Sequence, residues 1–350
     1  MSTKFTYARR AKIEENIPYN YQRIDINTYT PNKPIVLDLG GSGTINDQAT
    51  NGNMKIITSM LGGFADDVDV IGVNYNNGIE NRYIDDNCIE LVKRLLVPYV
   101  VKDGKRLDID TACKNMRNVT IFAHCYGVVG IMSLVVPNLT VELLELGYND
   151  EECKQIISQI VMVAYGSDFC DTIRDVKGVY FLSLSDEVFM TGTVHVAKEL
   201  MEKLDNINMV KTDRELLDQI NPNRTISSQV ISFLRNHRRV YSLHEDNIVR
   251  LFAYGVYQTD GNIWETDHAI GGMARNEDWS KHENASSTGD CVSRCLACVL
   301  CSSVANSIQN NQSTQHIEFD MDDLHQNIDN ICKAHNYEQT KLDNVDLQLL

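Results

Sequence analysis

Apolar residues along this chain collect into short unbroken runs, separated by stretches in which they recur every third or fourth position. An unbroken run suits a strand covered on both faces, and the wider spacing suits a helix with one apolar side. On that basis residues 34–39, 68–74, 118–123, 160–165, 178–184 and 249–257 are strands, each bounded by turn residues. Ile84, Cys88, Leu91, Val92 and Leu95 predict a helix over 82–96, ended by Pro98. Two further helices are expected at 127–136 and 141–157, and two closing ones at 290–307 and 319–335. Strands that alternate with helices in this way predict an α/β fold, a mostly parallel central sheet flanked by helices. Such sheets carry their functional loops at the strand C-termini.

Residues 195–246 depart from the rhythm, with polar amphipathic stretches at 196–204 and 213–220. They form a candidate helical cap or insertion in a core made of 34–194 and 247–350, with 1–33 as an N-terminal extension. Plain surface helices are the alternative. Residues 276–288 are polar and read as a loop, and no internal repeat is visible.

The strongest local signal is the stretch from Asn118 to Gly130, where an apolar strand runs through Ala123, His124, Cys125, Tyr126 and Gly127 straight into an apolar helix. Only small flanking residues, here Ala123 and Gly127, permit so tight a turn, and it projects Cys125 away from its neighbours. At a helix N-terminus the dipole favours the thiolate, the form that attacks. A plain buried cysteine after a strand is the competing reading.

This stretch resembles the nucleophile elbow of the α/β-hydrolase superfamily, in its variant with a Cys nucleophile and with Ala123 in place of the first glycine. The resemblance implies an acid after the seventh strand and a histidine after the last. Asp186, ending the apolar run from Val179, matches the acid, and Asp168 after the preceding strand is the alternative. His268, in a glycine-containing segment after 249–257, matches the base. His124 adjoins the nucleophile, but a histidine at that place packs beside the sheet. The resemblance also implies an oxyanion hole built from the loop after the first of these strands, Gly41 or Ser42, and from Tyr126. The implied activity is acyl hydrolysis or acyl transfer on an ester, thioester or amide through a Cys-His-Asp triad, with no cofactor and no metal. Substrate and bond stay open.

Two other readings compete. The segment Ile35 to Gly43 also resembles the first motif of S-adenosylmethionine-dependent methyltransferases, with the loop Gly40 to Gly43 at the cofactor. Asn74, where that family has an acidic residue, weakens it. A nicotinamide site lacks the third glycine, and Asn51-Gly52 is expected to interrupt the helix that would hold the phosphates. The last reading is a non-catalytic α/β-hydrolase-like binding protein with an inert Cys125.

Cys291, Cys295, Cys298 and Cys301 invite a metal reading, but four thiolates on one straight helix cannot close a tetrahedron. They are expected to be small buried residues that let the helix pack closely on the sheet.

Composition narrows the partners. With 43% hydrophobic and 23% charged residues, the chain suits a folded globular protein. A net charge of -16 with no basic cluster beyond Arg235 to Arg239 disfavours nucleic acid, leaving a small-molecule or acylated substrate as the expected partner. No secretory signal or transmembrane run stands out, and ten cysteines without framework spacing suit reduced thiols and a cytoplasmic home, although export without a classical signal stays compatible. Oligomeric state is open.

Overall fold

The computed structural model describes residues 7–14, 17–41, 47–74, 86–167, 171–183, 239–245, 247–253, 287–313 and 317–342. The unbroken apolar runs become the central strands β3 (Ile35–Leu39), β4 (Asp69–Asn74), β7 (Val119–His124), β8 (Val161–Tyr165), β9 (Lys177–Ser183) and β11 (Ile248–Ala253). All five residues of β3 and all five of β8 are buried, as strands covered on both faces require.

These strands are mutually parallel in the spatial order β11-β9-β8-β7-β3-β4. Strands of different character flank them. An N-terminal hairpin, β1 (Tyr7–Glu14) and β2 (Ile17–Arg23), adds antiparallel to β4. At the other edge β10 (Arg239–Glu245) pairs antiparallel with β11, and β12 (Glu338–Leu342) pairs parallel with β10. A two-residue hairpin, β5 (Val101–Lys102) and β6 (Lys105–Arg106), lies apart from the sheet. The N-terminal extension and the last residues of the 195–246 stretch therefore contribute strands to the sheet; residues 195–238 lie outside the described residues.

Helices cover both faces. On one side α2 (Asp86–Leu96), α3 (Ile109–Met116), α4 (Ser133–Glu145) and α5 (Asp150–Ile157) bury Leu91, Leu95, Met116, Val135, Leu139 and Ile156 against Leu37, Leu39, Ile121 and Met162. On the other, α1 (Asp47–Leu61), α6 (Ser287–Gln312) and α7 (Met321–Ala334) bury Met54, Ile57, Leu296, Val299 and Leu324 against Val36, Phe122 and Val163. Two hydroxyl contacts hold α6 across β7: Thr120 Oγ1 to Ser303 Oγ at 2.7 Å, and Ser307 Oγ to the Arg117 carbonyl at 2.6 Å.

Local chemistry sets the helix ends. Asp108 caps α3 by accepting from Thr111 N, Asp320 caps α7, and Asn149 with Glu152 forms a capping box on α5. The helices around Pro137 differ from the sequence expectation. Helix α4 runs on through the exposed Pro137 to Glu145, and the break falls at Gly147, whose φ of +92° ends it ahead of α5. Helix α1 is also uninterrupted at Asn51-Gly52, which corrects the expected break there. Its buried Met54, Ile56, Ile57 and Leu61 outweigh the roughly 1 kcal/mol that an interior glycine costs.

Two segments, Gly127–Glu145 and Cys291–Gln312, are apolar and long enough to cross a bilayer by composition. In the fold they cover opposite faces of the sheet, and their most buried residues belong to its two cores.

Candidate active site

The chain reverses direction along the sheet at β3. Its successor β4 lies on one side of it and β7 on the other, so a crevice opens between the C-terminal ends of β3 and β7. In an open α/β sheet this is where ligands bind. Cys125 stands there, immediately after β7.

The tight turn expected at Cys125 is present. Its φ is +50°, in the left-handed region that costs a residue with a Cβ about 1–2 kcal/mol. Surrounding bonds hold it there. The Cys125 N–H donates to the Tyr165 carbonyl at 3.0 Å, tying the turn to β8. The Cys125 carbonyl accepts from Val128 N at 3.0 Å and Val129 N at 3.4 Å, so the helix begins at once. Its first turn, Gly127–Met132, is π-helical and leads directly into α4. The Cys125 side chain is only partly buried, unlike Cys88, Cys113 and Cys153 in the core.

Three glycines make the turn possible. A Cβ on Gly127 would lie 2.0 Å from the Leu39 carbonyl oxygen, so only glycine lets the helix start pack on the end of β3. A Cβ on Gly130 would lie 2.3 Å from the Tyr126 ring, which folds back over it. Gly41, buried in the loop after β3, backs onto Cys125: a Cβ there would lie 3.3 Å from Cys125 Cβ and 2.8 Å from His124 Nδ1. His124 packs below that loop, with its ring centroid 5.9 Å from that of Tyr165.

Of the residues singled out in the sequence, the fold brings Cys125, Tyr126 and Gly41 together at one strand edge. Ser42, Asp168, Asp186 and His268 lie outside the described residues. The backbone does show where their segments leave the sheet. β8, β9 and β11 run parallel to β7, so their C-terminal ends at Tyr165, Ser183 and Ala253 emerge at the edge that carries Cys125. Asp168, Asp186 and His268 follow these three ends in sequence.

One acidic residue near the site has no part in the expected triad or oxyanion hole. Asp38, the penultimate residue of β3, is 1% exposed, and its Oδ2 has no hydrogen-bond partner. Burial pushes its carboxyl up to about 8, against the opposing effect of a hydrogen bond with Asn53 of α1. The carboxyl therefore holds its proton far more tightly than an exposed one, on the α1 side of the sheet and two residues before the Gly40-Gly41 loop. A lone Asp inside the apolar run Ile35-Val36-Leu37-Asp38-Leu39 was the available signal.

No known protein-family model matches the sequence, and no curated protein matches it significantly.

Proposed function

We propose that this chain is an α/β-hydrolase-like acyl hydrolase or acyltransferase in which Cys125 is the nucleophile. The observation that carries the reading is the left-handed backbone of Cys125 at a strand-to-helix turn. A non-glycine residue is held in that conformation at a measurable cost in stability, and the usual return is a side chain thrust clear of the sheet edge. Gly41 at van der Waals range of the nucleophile, Gly127 on Leu39, and the position at the crevice between β3 and β7 support it.

In this reading His268 takes the Cys125 proton and Asp186, or in its place Asp168, orients the imidazole. The thiolate attacks the acyl carbon, and the oxyanion is held by backbone N–H groups of the Gly41–Ser42 loop and of Tyr126. The leaving group departs with the proton from His268, leaving a thioester on Cys125. Water then adds to the thioester carbonyl and frees the acid; another alcohol, thiol or amine in its place makes the reaction a transfer.

The sheet order also bears on the competing readings. Beyond β4 stands an antiparallel strand from the N-terminus, β1, where a methyltransferase sheet continues with a third parallel strand. The uninterrupted α1 after the glycine loop is the one observation that favours S-adenosylmethionine as a second reading. A thermal-shift titration with that cofactor separates the two.

The decisive experiment is intact-mass spectrometry after incubation with p-nitrophenyl acetate. Wild type gains one acetyl group that Cys125→Ala does not, and His268→Ala acquires it far more slowly. Equal labelling of wild type and Cys125→Ala removes the proposal.

A further inference from the structure

The cysteines of α6 alone cannot surround a metal ion, because they lie along one straight helix. The fold adds a ligand from elsewhere. Cys291 and Cys295, one turn apart on α6, share a face, and Cys332 comes from the last turn of α7. The three sulfur atoms lie within 4.8 Å of one another, and the Cys291 to Cys332 pair is 3.8 Å apart. Exposures are 0%, 2% and 0%, deep in the core between α6, α7 and the sheet. The other two cysteines of α6 lie outside the group: Cys298 and Cys301 are half-buried, and Cys301 Sγ sits 3.4 Å from the Met60 carbonyl.

A triangle of sulfurs with one edge of 3.8 Å and none longer than 4.8 Å has its centre at most about 2.6 Å from each corner. Metal–thiolate bonds are about 2.3 Å long, so an ion at the centre reaches all three sulfurs with only small side-chain adjustments.

We propose that Cys291, Cys295 and Cys332 form a three-thiolate binding site for a soft d10 cation of the copper(I) type. Softness follows from an all-sulfur donor set. Coordination number selects within that class. A structural zinc takes four ligands, whereas among the described residues this group offers three and is sealed from the solvent that would supply a fourth. Binding displaces the remaining thiol protons to water, so occupancy falls as the pH is lowered. The bound ion would join the last two helices, holding α7 to α6 by bonds in addition to apolar packing.

The test loads the full-length, reduced chain with Cu(I) anaerobically against a competing Cu(I) chelator, and measures retained copper and its X-ray absorption spectrum. Wild type and the half-buried control Cys298→Ser are expected to retain one Cu(I), with three sulfur neighbours at about 2.3 Å. Cys291→Ser and Cys332→Ser are expected to lose it to the chelator. The sulfur count on wild type stands independently of whether the serine variants fold. Retention unchanged in a folded Cys332→Ser chain overturns the proposal. So does a wild-type spectrum with fewer than three sulfurs, or a Cys291–Cys332 disulfide in protein purified without oxygen.

Discussion

Replacing Asp38 with Asn tests whether a neutral carboxyl is built into the end of β3. In the unfolded chain this group ionises near 3.8, and in the folded protein burial moves that point up to about 8. Between those values the native state binds the proton more tightly than the unfolded state, so wild-type stability falls as pH rises through the window and levels off above it. Each pH unit is worth about 1.36 kcal/mol, which gives a loss on the order of 4 kcal/mol between pH 5 and pH 8 as an upper bound. An Asn side chain has nearly the same shape, stays neutral throughout and has no such slope. Urea unfolding of both proteins at pH 5, 6, 7 and 8 reads the difference, with all other titrations cancelling between them. Asp38→Asn should already exceed wild type by about 1–2 kcal/mol at pH 5, where the unfolded carboxyl is ionised, and by progressively more toward pH 8. A difference that is flat with pH, or that grows toward low pH, would mean that Asp38 is ionised in the fold and that the burial argument is wrong.

Other perturbations address the turn itself. Gly127→Ala drives a methyl into the Leu39 carbonyl and should cost about 3 kcal/mol or more in denaturant unfolding while suppressing acylation of Cys125. Gly41→Ala presses on the His124 ring and Cys125 Cβ and should cost about 1–3 kcal/mol in stability while acyl-adduct formation slows at least tenfold, read by mass spectrometry over time. Cys125→Gly should be more stable than Cys125→Ala by about 1 kcal/mol, because only glycine adopts a φ of +50° without strain; the reverse order would show that the turn relaxes. Asn149→Ala removes the capping box of α5 and should cost about 1 kcal/mol with acylation unaffected.

What could be read from the sequence divides along physical lines. Strands such as Ile35–Leu39 and Val161–Tyr165 were legible because burial on both faces leaves an unbroken apolar run. The turn at Cys125 was legible because tight backbone geometry restricts its flanks to small residues. The course of α4 was not, since the apolar spacing suggested two helices, at 127–136 and 141–157, while the chain stays helical through the exposed Pro137 and Gly147 supplies the break. The hairpin β1–β2 and strand β12 also went unread, because strands at or next to the sheet's edges, such as Tyr7–Glu14, carry charge where the central ones are apolar. Asp38 looked like one polar letter in a strand, and only burial gives it a perturbed titration. Cys332 lies forty-one positions from Cys291, and no spacing rule links the two; their proximity follows from how α6 and α7 pack.

The two faces of the sheet are completed at different times as the chain leaves the ribosome. The face under α2, α3, α4 and α5 closes with segments that are contiguous in sequence with β3, β4, β7 and β8. Among the described residues the opposite face, bearing Val36, Phe122, Val163 and Val179, has α1 as its early cover and waits for α6 and α7, which follow much later in the sequence. Until then a half-clad apolar surface is open to other nascent chains, and truncation before Ser287 should leave an aggregation-prone product that depends on chaperones.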